Sequence, residues 1–399
     1  MSYPPSVRTR ECLSGTTIRG FFLMSAMKVM PAALTVAPGT NLKPARLSTA
    51  TKSRVLVIAP NWVGDAIVSL ALVDALANQY DAVDVLATPA VAAVYECAGT
   101  VSRVIVENLQ HGQLQLRLRQ QIAARLRGHY GLAVICPNSL KSALIPFLAE
   151  IPRRRGFTGE FRYGLLNERR PPPSAPAGRR PSMLHQYLAL ADDPPLPERI
   201  DGFGAHQPRL NSPAQPRVDT AGALILCPGA EYGPAKQWPL EHFARVALAW
   251  LDTSIEHRVI IVGGPRDFAA GETILNYVSA TTPTQKNSNP RIENLCGKTT
   301  LMEAFAIIAH APQVISNDSG LMHAAAALGV PVIALFGSTD PHHTPPHSQK
   351  AVVLSLNLKC SPCFKRVCPL GTTACLKDLP SERVIECLNL PAEMITSHN

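Results

Sequence analysis

The sequence predicts an α/β protein made of two Rossmann-like halves joined by a proline-rich connection. Three observations carry this. Short apolar runs rich in β-branched residues recur along the chain, each followed by a helical pattern, as expected for strands buried on both faces of a parallel sheet. The series occurs twice, on either side of a stretch crowded with proline. The length of 399 residues exceeds one small domain and suits two.

The first series opens at Arg54. Val55-Leu56-Val57-Ile58 reads as a buried strand, and after the turn Ala59–Asp65 a helical pattern runs through Ala77. Val83–Ala87, Val101–Val106 and Leu132–Cys136 are further strands, with helical stretches between them. Strands alternating with helices indicate βαβ units and a doubly wound sheet. Between 167 and 220 the prolines, among them Pro171-Pro172-Pro173, Pro181, Pro208, Pro213 and Pro216, leave little room for long elements. One helical island, Ser182–Ala191, interrupts this run, and its end reads as an interdomain linker.

The second series takes Ala223–Cys227 as a strand, Leu240–Leu251 as a helix and Arg258–Val262 as a strand ending in Gly263-Gly264. Ile292–Leu295 is a short strand, Leu301–His310 a helix, Val314–Ser316 a strand, Met322–Leu328 a helix and Pro331–Phe336 a closing strand. The resulting organisation is an extension over 1–50, a first Rossmann-like domain with its linker over 51–215, and a second with a cysteine-rich tail over 216–399. In the extension, Arg8, Arg10 and Arg19 precede Phe21–Met27 in the manner of a signal peptide. That apolar run is short and broken by Ser25, with Lys28 just beyond it, so a disordered extension or an upstream start is the simpler reading.

Composition narrows the function. Hydrophobic residues make up 46% and charged residues 17%, the balance of a globular protein with sizeable cores. No apolar run reaches the roughly 18 to 20 residues that span a bilayer. The net charge of +9 concentrates in 1–50 and in the arginine-rich stretch 151–180. Aromatic residues do not interleave with these basic ones, so nucleic acid is not expected as a partner. The 151–180 patch suits an anionic lipid or a phosphorylated acceptor as well as it suits a plain solvated loop. Cys97, Cys136, Cys227 and Cys296 sit in apolar settings and read as small buried hydrophobes in a reducing compartment.

Four segments carry the chemistry. Ser316–His323 lies where a strand ends and a helix begins, where unpaired backbone N–H groups and the helix dipole favour an anion. Asp318 or Ser319 can cap that helix, and Gly320 lets a phosphate approach the backbone. A plain capped helix would read the same way. Pro228–Pro239 follows the first strand of the second series, is rich in small residues and carries Lys236, a cation suited to a diphosphate. Gly263-Gly264-Pro265-Arg266-Asp267 ends the next strand and suits a ribose or base. Three such strand-end loops from one sheet describe a nucleotide site. In the first series Asp65 is the only carboxylate in the first strand-to-helix turn. It is placed to act as a base in a cleft, although spacing alone fits a helix-capping role better.

These blocks resemble a known family. Ala59–Asp65, Pro137–Ala143, Arg162–Asn167, Cys227–Lys236 and Asn317–His323 are similar, in order and spacing over about 54–390, to ADP-heptose:lipopolysaccharide heptosyltransferases II of glycosyltransferase family 9. The resemblance implies a metal-independent, inverting GT-B enzyme, two Rossmann-like domains facing across a cleft. It implies transfer of L-glycero-D-manno-heptose from ADP-heptose to the first heptose on a lipid A–Kdo acceptor, without a cofactor. By motif position Asp65 is the general base and Lys236 holds the diphosphate. Gly229, Ala230, Glu231, Asn317, Asp318, Ser319, Gly320, Leu321 and His323 surround the donor, with Asp267 at the ribose. Asn61, Trp62, Asn138, Ser139, Lys141 and Arg162, together with Arg153–Arg155, face the acceptor. A cytoplasmic enzyme in peripheral contact with the inner membrane follows from a lipid acceptor and a chain with no span.

Two stretches depart from the family. Residues 1–50 have no counterpart in it. Cys360-Ser361-Pro362-Cys363, with Cys368 and Cys375, has the composition of a four-thiolate zinc site but loose outer spacing and no histidine, so zinc, pairing and free thiols all stay open. The rival readings are a family member acting at another core position and, from a different class, a nucleotide-sugar epimerase of the same two-domain fold. A silent relative would be expected to lack Asp65 or Lys236, and both are present.

Overall fold

The computed structural model describes residues 54–174, 180–194, 206–281 and 291–388. The expected 1–50 extension lies outside them. The first half contains β1 (Arg54–Ile58), α1 (Val63–Ala77), β2 (Ala82–Ala87), α2 (Ala92–Glu96), β3 (Arg103–Val106), α3 (Leu116–Leu126), β4 (Leu132–Ile135), α4 (Leu140–Leu148), β5 (Arg153–Phe157), β6 (Glu168–Arg170) and α5 (Met183–Leu188). Its strands form one parallel sheet in the order β3-β2-β1-β4-β5-β6. Every residue of β1 beyond Arg54 is buried. Val55 and Val57 face the α1 side and Leu56 and Ile58 the α3–α4 side, which accounts for the unbroken apolar run.

The second half repeats the plan with β7 (Ala223–Cys227), α6 (Leu240–Thr253), β8 (Arg258–Ile261), α7 (Phe268–Thr281), β9 (Ile292–Asn294), α8 (Leu301–Ala309), β10 (Gln313–Asn317), α9 (Gly320–Ala327), β11 (Val332–Leu335) and β12 (Ala351–Leu354). Two short helices, α10 (Ala374–Lys377) and α11 (Ser381–Ile385), follow. The sheet order is β12-β11-β10-β7-β8-β9, again parallel throughout. In both halves the strand order reverses beside the first strand, between β1 and β4 and between β7 and β10. Ligands of open α/β sheets bind at such switch points, and all the expected site loops leave from the carboxyl ends of these four strands or their neighbours.

The structure corrects one expectation about the basic patch. Arg153–Arg155 begins β5 and does not face an acceptor. Arg155 is buried and donates to Glu168 Oε2 at 2.7 Å, to the Leu190 carbonyl at 3.1 Å and to Asp192. Arg154 donates to the carbonyls of Leu165 and Ile151, and Arg153 to Glu168 and Asp192. A buried guanidinium persists only when fully partnered, and here the partners come from β6 and from the turn after α5.

The halves are closely joined. α1 packs across the domain boundary on α9, and Phe305, Ala324 and Ala327 of the second half share one core with α1 and α5. The helix starts meet glycine to glycine. A Cβ added at Gly320 would lie 2.9 Å from Val63 Cβ, and one at Gly64 would lie 3.0 Å from His323 Cδ2. The segment before α5 ties in from the other side, with Met183 N–H donating to the His343 carbonyl at 2.8 Å and His343 Nδ1 at 2.7 Å from the Pro181 carbonyl.

Gly320→Ala should therefore push α1 from α9 and cost roughly 1–3 kcal/mol in chemical denaturation, the scale of overpacking. Gly164→Ala, where a Cβ meets nothing within 4 Å, should be neutral. Equal stability of the two variants would show that the seam is loose.

Candidate active site

Asp65 stands in the first turn of α1, whose N-cap, Trp62, makes no side-chain capping bond. The Asp65 carboxylate does not cap the helix either: it has no hydrogen-bond partner among the described residues. Its charge acts on the buried Cys136, Tyr95 and Tyr187 and pushes the pKa of each up. Burial pushes its pKa up to about 6, Lys236 pulls it down and Asp318 pushes it up. Lys236 and Asp318 belong to the other half, so the carboxylate confronts charges from across the boundary. An unpartnered carboxylate whose pKa lies near neutrality has the properties of a general base.

Opposite it, a 3-10 turn at Pro234–Lys236 presents the Lys236 ammonium to Asp318. Lys236 Nζ is 2.6 Å from Asp318 Oδ2, and Thr339 Oγ1 donates to the same oxygen at 2.6 Å. Both members of the pair are largely buried. Two cations lie over the Tyr232 ring, Lys236 Nζ at 4.9 Å and the Arg366 guanidinium carbon at 5.3 Å from its centre, both within cation–π range. The Tyr232 hydroxyl donates to the Phe364 carbonyl at 2.8 Å, which fixes the loop to the cysteine-rich tail. In this structure the Asp318 carboxylate is thus engaged by Lys236 and Thr339.

Asn317 is fully buried. Its amide donates to the Pro228 carbonyl at 2.8 Å and its Oδ1 accepts from Trp238 N–H at 3.1 Å. It ties both ends of the Lys236 loop to β10. Ser319, the N-cap of α9, makes no capping bond and instead shares a 3.0 Å hydroxyl–hydroxyl contact with Ser316. The first amides of α9 therefore keep their capacity for an anion. Leu321 packs against the cores on both sides of the seam. His323 is buried against Gly64, and burial lowers its pKa to about 4, so it is neutral at pH 7. His347, beside it, is lowered to about 3 for the same reason, and its Nε2 has no partner.

The ribose-side loop is compact. Asp267 accepts from Gly264 N–H at 2.9 Å and lies so close to Gly229 and Gly263 that a Cβ on either would collide with it. Burial raises its pKa, and Glu231 adds to the effect. Ala230 is half-buried beside Gly229. Glu231 is exposed and pairs with Arg266 at 2.7 Å. Gly229, from the loop expected at a diphosphate, and Gly263, from the loop expected at a ribose or base, both make room for this carboxylate.

On the acceptor side, Asn61 and Trp62 are exposed at the end of β1. Asn138 is exposed and Lys141 half-buried, and among the described residues no side-chain partner engages the lysine. Ser139 caps α4 by accepting from Ser142 N–H at 3.3 Å. Arg162 is only 1% exposed and donates to the Pro137 carbonyl at 2.8 Å and to Asn138 Oδ1 at 3.2 Å. Ser139 and Arg162 thus shape the loop from beneath, and Asn138 and Lys141 remain open to a ligand. In the tail, Cys360, Cys363, Cys368 and Cys375 are unpaired, and among the described residues no three His, Cys, Asp or Glu side chains converge as a ligand set.

Comparison with known proteins places this geometry. The profile of glycosyltransferase family 9 (heptosyltransferase) matches residues 117–374. Lipooligosaccharide heptosyltransferase 2 of Haemophilus influenzae is 38% identical over 317 residues, 76% of this chain and 88% of that one. The chain belongs to glycosyltransferase family 9. Lipopolysaccharide heptosyltransferase 2 of Escherichia coli is 36% identical over 350 residues, 84% of this chain and 97% of the relative. The solved structure of E. coli ADP-heptose LPS heptosyltransferase II superposes with a TM-score of 0.66 at 32% identity, over 84% of this chain and 96% of that one. The fold is accordingly the family's GT-B arrangement, and membership decides against the epimerase reading.

Because Asp65 binds its proton more tightly folded than unfolded, its ionised form opposes folding above about pH 6, and the penalty vanishes as pH falls toward the ordinary carboxylate value near 4. Asp65→Asn should raise the melting temperature at pH 8 and lose that advantage by about pH 4. A stability difference independent of pH would place Asp65 outside a buried, charged cleft.

Proposed function

We propose that this chain is an inverting glycosyltransferase that moves L-glycero-D-manno-heptose from ADP-heptose to the first heptose of the lipopolysaccharide inner core. The observation that carries the reading is the unpartnered Asp65 carboxylate facing the Lys236–Asp318 pair. Its finer terms, the donor sugar and the core position, are supported by the relatives named heptosyltransferase 2.

In this reading the donor diphosphate lies at the start of α9 and along the 228–236 loop. Lys236 meets the charge that develops on the leaving ADP, held in place by Asp318 and Tyr232, and the open amides of α9 add to it. Asp65 takes the proton from the acceptor hydroxyl as that oxygen attacks the anomeric carbon opposite the departing diphosphate. Attack from the far face inverts the configuration. Tyr187, Cys136 and Tyr95 keep the base poorly solvated and so raise its basicity. The first-half loops carrying Asn61, Trp62, Asn138 and Lys141 take the acceptor. No helix among the described residues is long and apolar enough to cross a membrane, so contact with a lipid acceptor would be peripheral.

The test is ADP release from ADP-heptose with purified lipid A–Kdo acceptor carrying one heptose. Acceptor-dependent release with a gain of one heptose in mass is expected. Turnover with the heptose-free acceptor alone would move the enzyme to another core position. Asp65→Ala should lower kcat by about 10²–10⁴ while ADP affinity by calorimetry stays within about twofold, since the base sits across the cleft from the nucleotide. Lys236→Gln should weaken ADP binding and turnover together, and unchanged ADP affinity would remove Lys236 from the donor site.

A further inference from the structure

Six of the thirteen large apolar side chains left exposed among the described residues lie on one edge of the molecule. Trp62, Leu114, Leu116, Leu140, Phe161 and Tyr163 are between 38% and 88% exposed. All six sit in loops or helix starts at the carboxyl ends of β1, β3, β4 and β5, the edge that carries the acceptor loops. Scattered apolar residues need no explanation, but a concentration along one edge does.

Backbone conformation shows that the display is built in. Glu160 and Phe161 are consecutive left-handed residues, with φ of 42° and 53°, and Gln115, between Leu114 and Leu116, has φ of 44°. Non-glycine residues hold such angles only where their surroundings impose them. Here the Glu160 carboxylate accepts from Leu140 N–H at 3.0 Å, and the buried Arg162 guanidinium holds the loop to the Pro137 carbonyl. Between these two anchors the Phe161 ring stands 88% exposed. A loop fastened on both sides of a phenylalanine holds that ring in water in the isolated protein.

The charges of the edge have one sign left over. Arg117, Lys141 and Arg169 have no carboxylate partner among the described residues, and the Arg169 guanidinium lies 5.4 Å from the centre of the Tyr163 ring. Of the edge's acids, Glu107 pairs with Arg125, and Glu160 accepts from the start of α4 with the buried Arg162 charge acting on it. Aromatic and aliphatic side chains interspersed with uncompensated cations match the interface of an anionic bilayer, where rings sit at headgroup depth and Lys or Arg meet the phosphates.

We propose that this edge docks on the surface of an anionic lipid bilayer, with Phe161 and Tyr163 entering the headgroup region and Arg117, Lys141 and Arg169 facing its phosphates. The assignment rests on the reading that the acceptor is a lipid. It places the mouth of the cleft at the membrane surface, so that the acceptor's sugar head reaches Asp65 while its acyl chains stay in the bilayer.

The test is co-sedimentation of the full chain with phosphatidylcholine vesicles made with and without phosphatidylglycerol. Wild type should bind the anionic vesicles, and added salt should weaken the binding. Phe161→Asn with Tyr163→Ser should lower it about tenfold or more, asparagine being tolerated in the left-handed region, and Phe161→Trp should retain it. The double variant should transfer normally to a deacylated acceptor in solution and poorly to one embedded in vesicles. Absent wild-type binding, or equal binding by the double variant, overturns the proposal. So does loss of self-association in the double variant with vesicle binding intact, which would make the edge an interface between copies. Vesicle binding without transfer to either acceptor would leave the docking in place and refute the catalytic reading.

Discussion

The site depends on two helix starts that touch. α1 and α9 belong to different halves, and glycine on each lets their backbones approach until Val63 meets Gly320 and His323 meets Gly64. Each helix begins at the switch point of its own sheet. Their contact therefore brings two strand-end loop clusters into one cleft. Asp65, one residue beyond Gly64, acquires its electrostatic partners only from the far side of that seam. A side chain at either glycine would move the carboxylate away from Lys236 without changing any group that takes part in the chemistry.

Within the cleft, two carboxylates meet different surroundings. Asp65 is left without a hydrogen bond, and desolvation raises its pKa to about 6. Asp318 is satisfied by Lys236 and Thr339, which keeps the lysine in register above Tyr232. Two carboxylates with such different surroundings suit different tasks, one taking a proton and the other holding a cation. The cysteine-rich tail contributes through its backbone, since the Phe364 and Arg366 carbonyls accept from Tyr232 and from Ala235 N–H.

The repeated apolar runs made most of both sheets legible, because strands buried on two faces leave a continuous signal. β5 gives no such signal because it opens with three arginines, one of them buried through partners far away in sequence. β12 ends the second sheet beyond the last apolar run that was assigned. The loops that meet at the cleft are legible from their motifs, but the hydrogen-bonding of several of their residues is not. Asn317, Arg162 and Ser139 are polar residues in loops, which reads as ligand contact. Only their hydrogen bonds show that Asn317 and Arg162 hold neighbouring loops in place and that Ser139 caps its own helix. Tyr187, Thr339 and Arg366 carried no local signal, since they reach the cleft through tertiary contacts alone.

The most direct test of the account is the pH dependence of kcat/KM in wild type and in Lys236→Gln. Wild-type rate should fall with unit slope on the acid side of about pH 6 as Asp65 is protonated. Loss of the Lys236 charge, which favours the ionised carboxylate, should move that limb to higher pH. A wild-type profile flat through pH 6, or a limb that stays in place in the variant, would contradict the claim that a base from one half is tuned by a cation from the other.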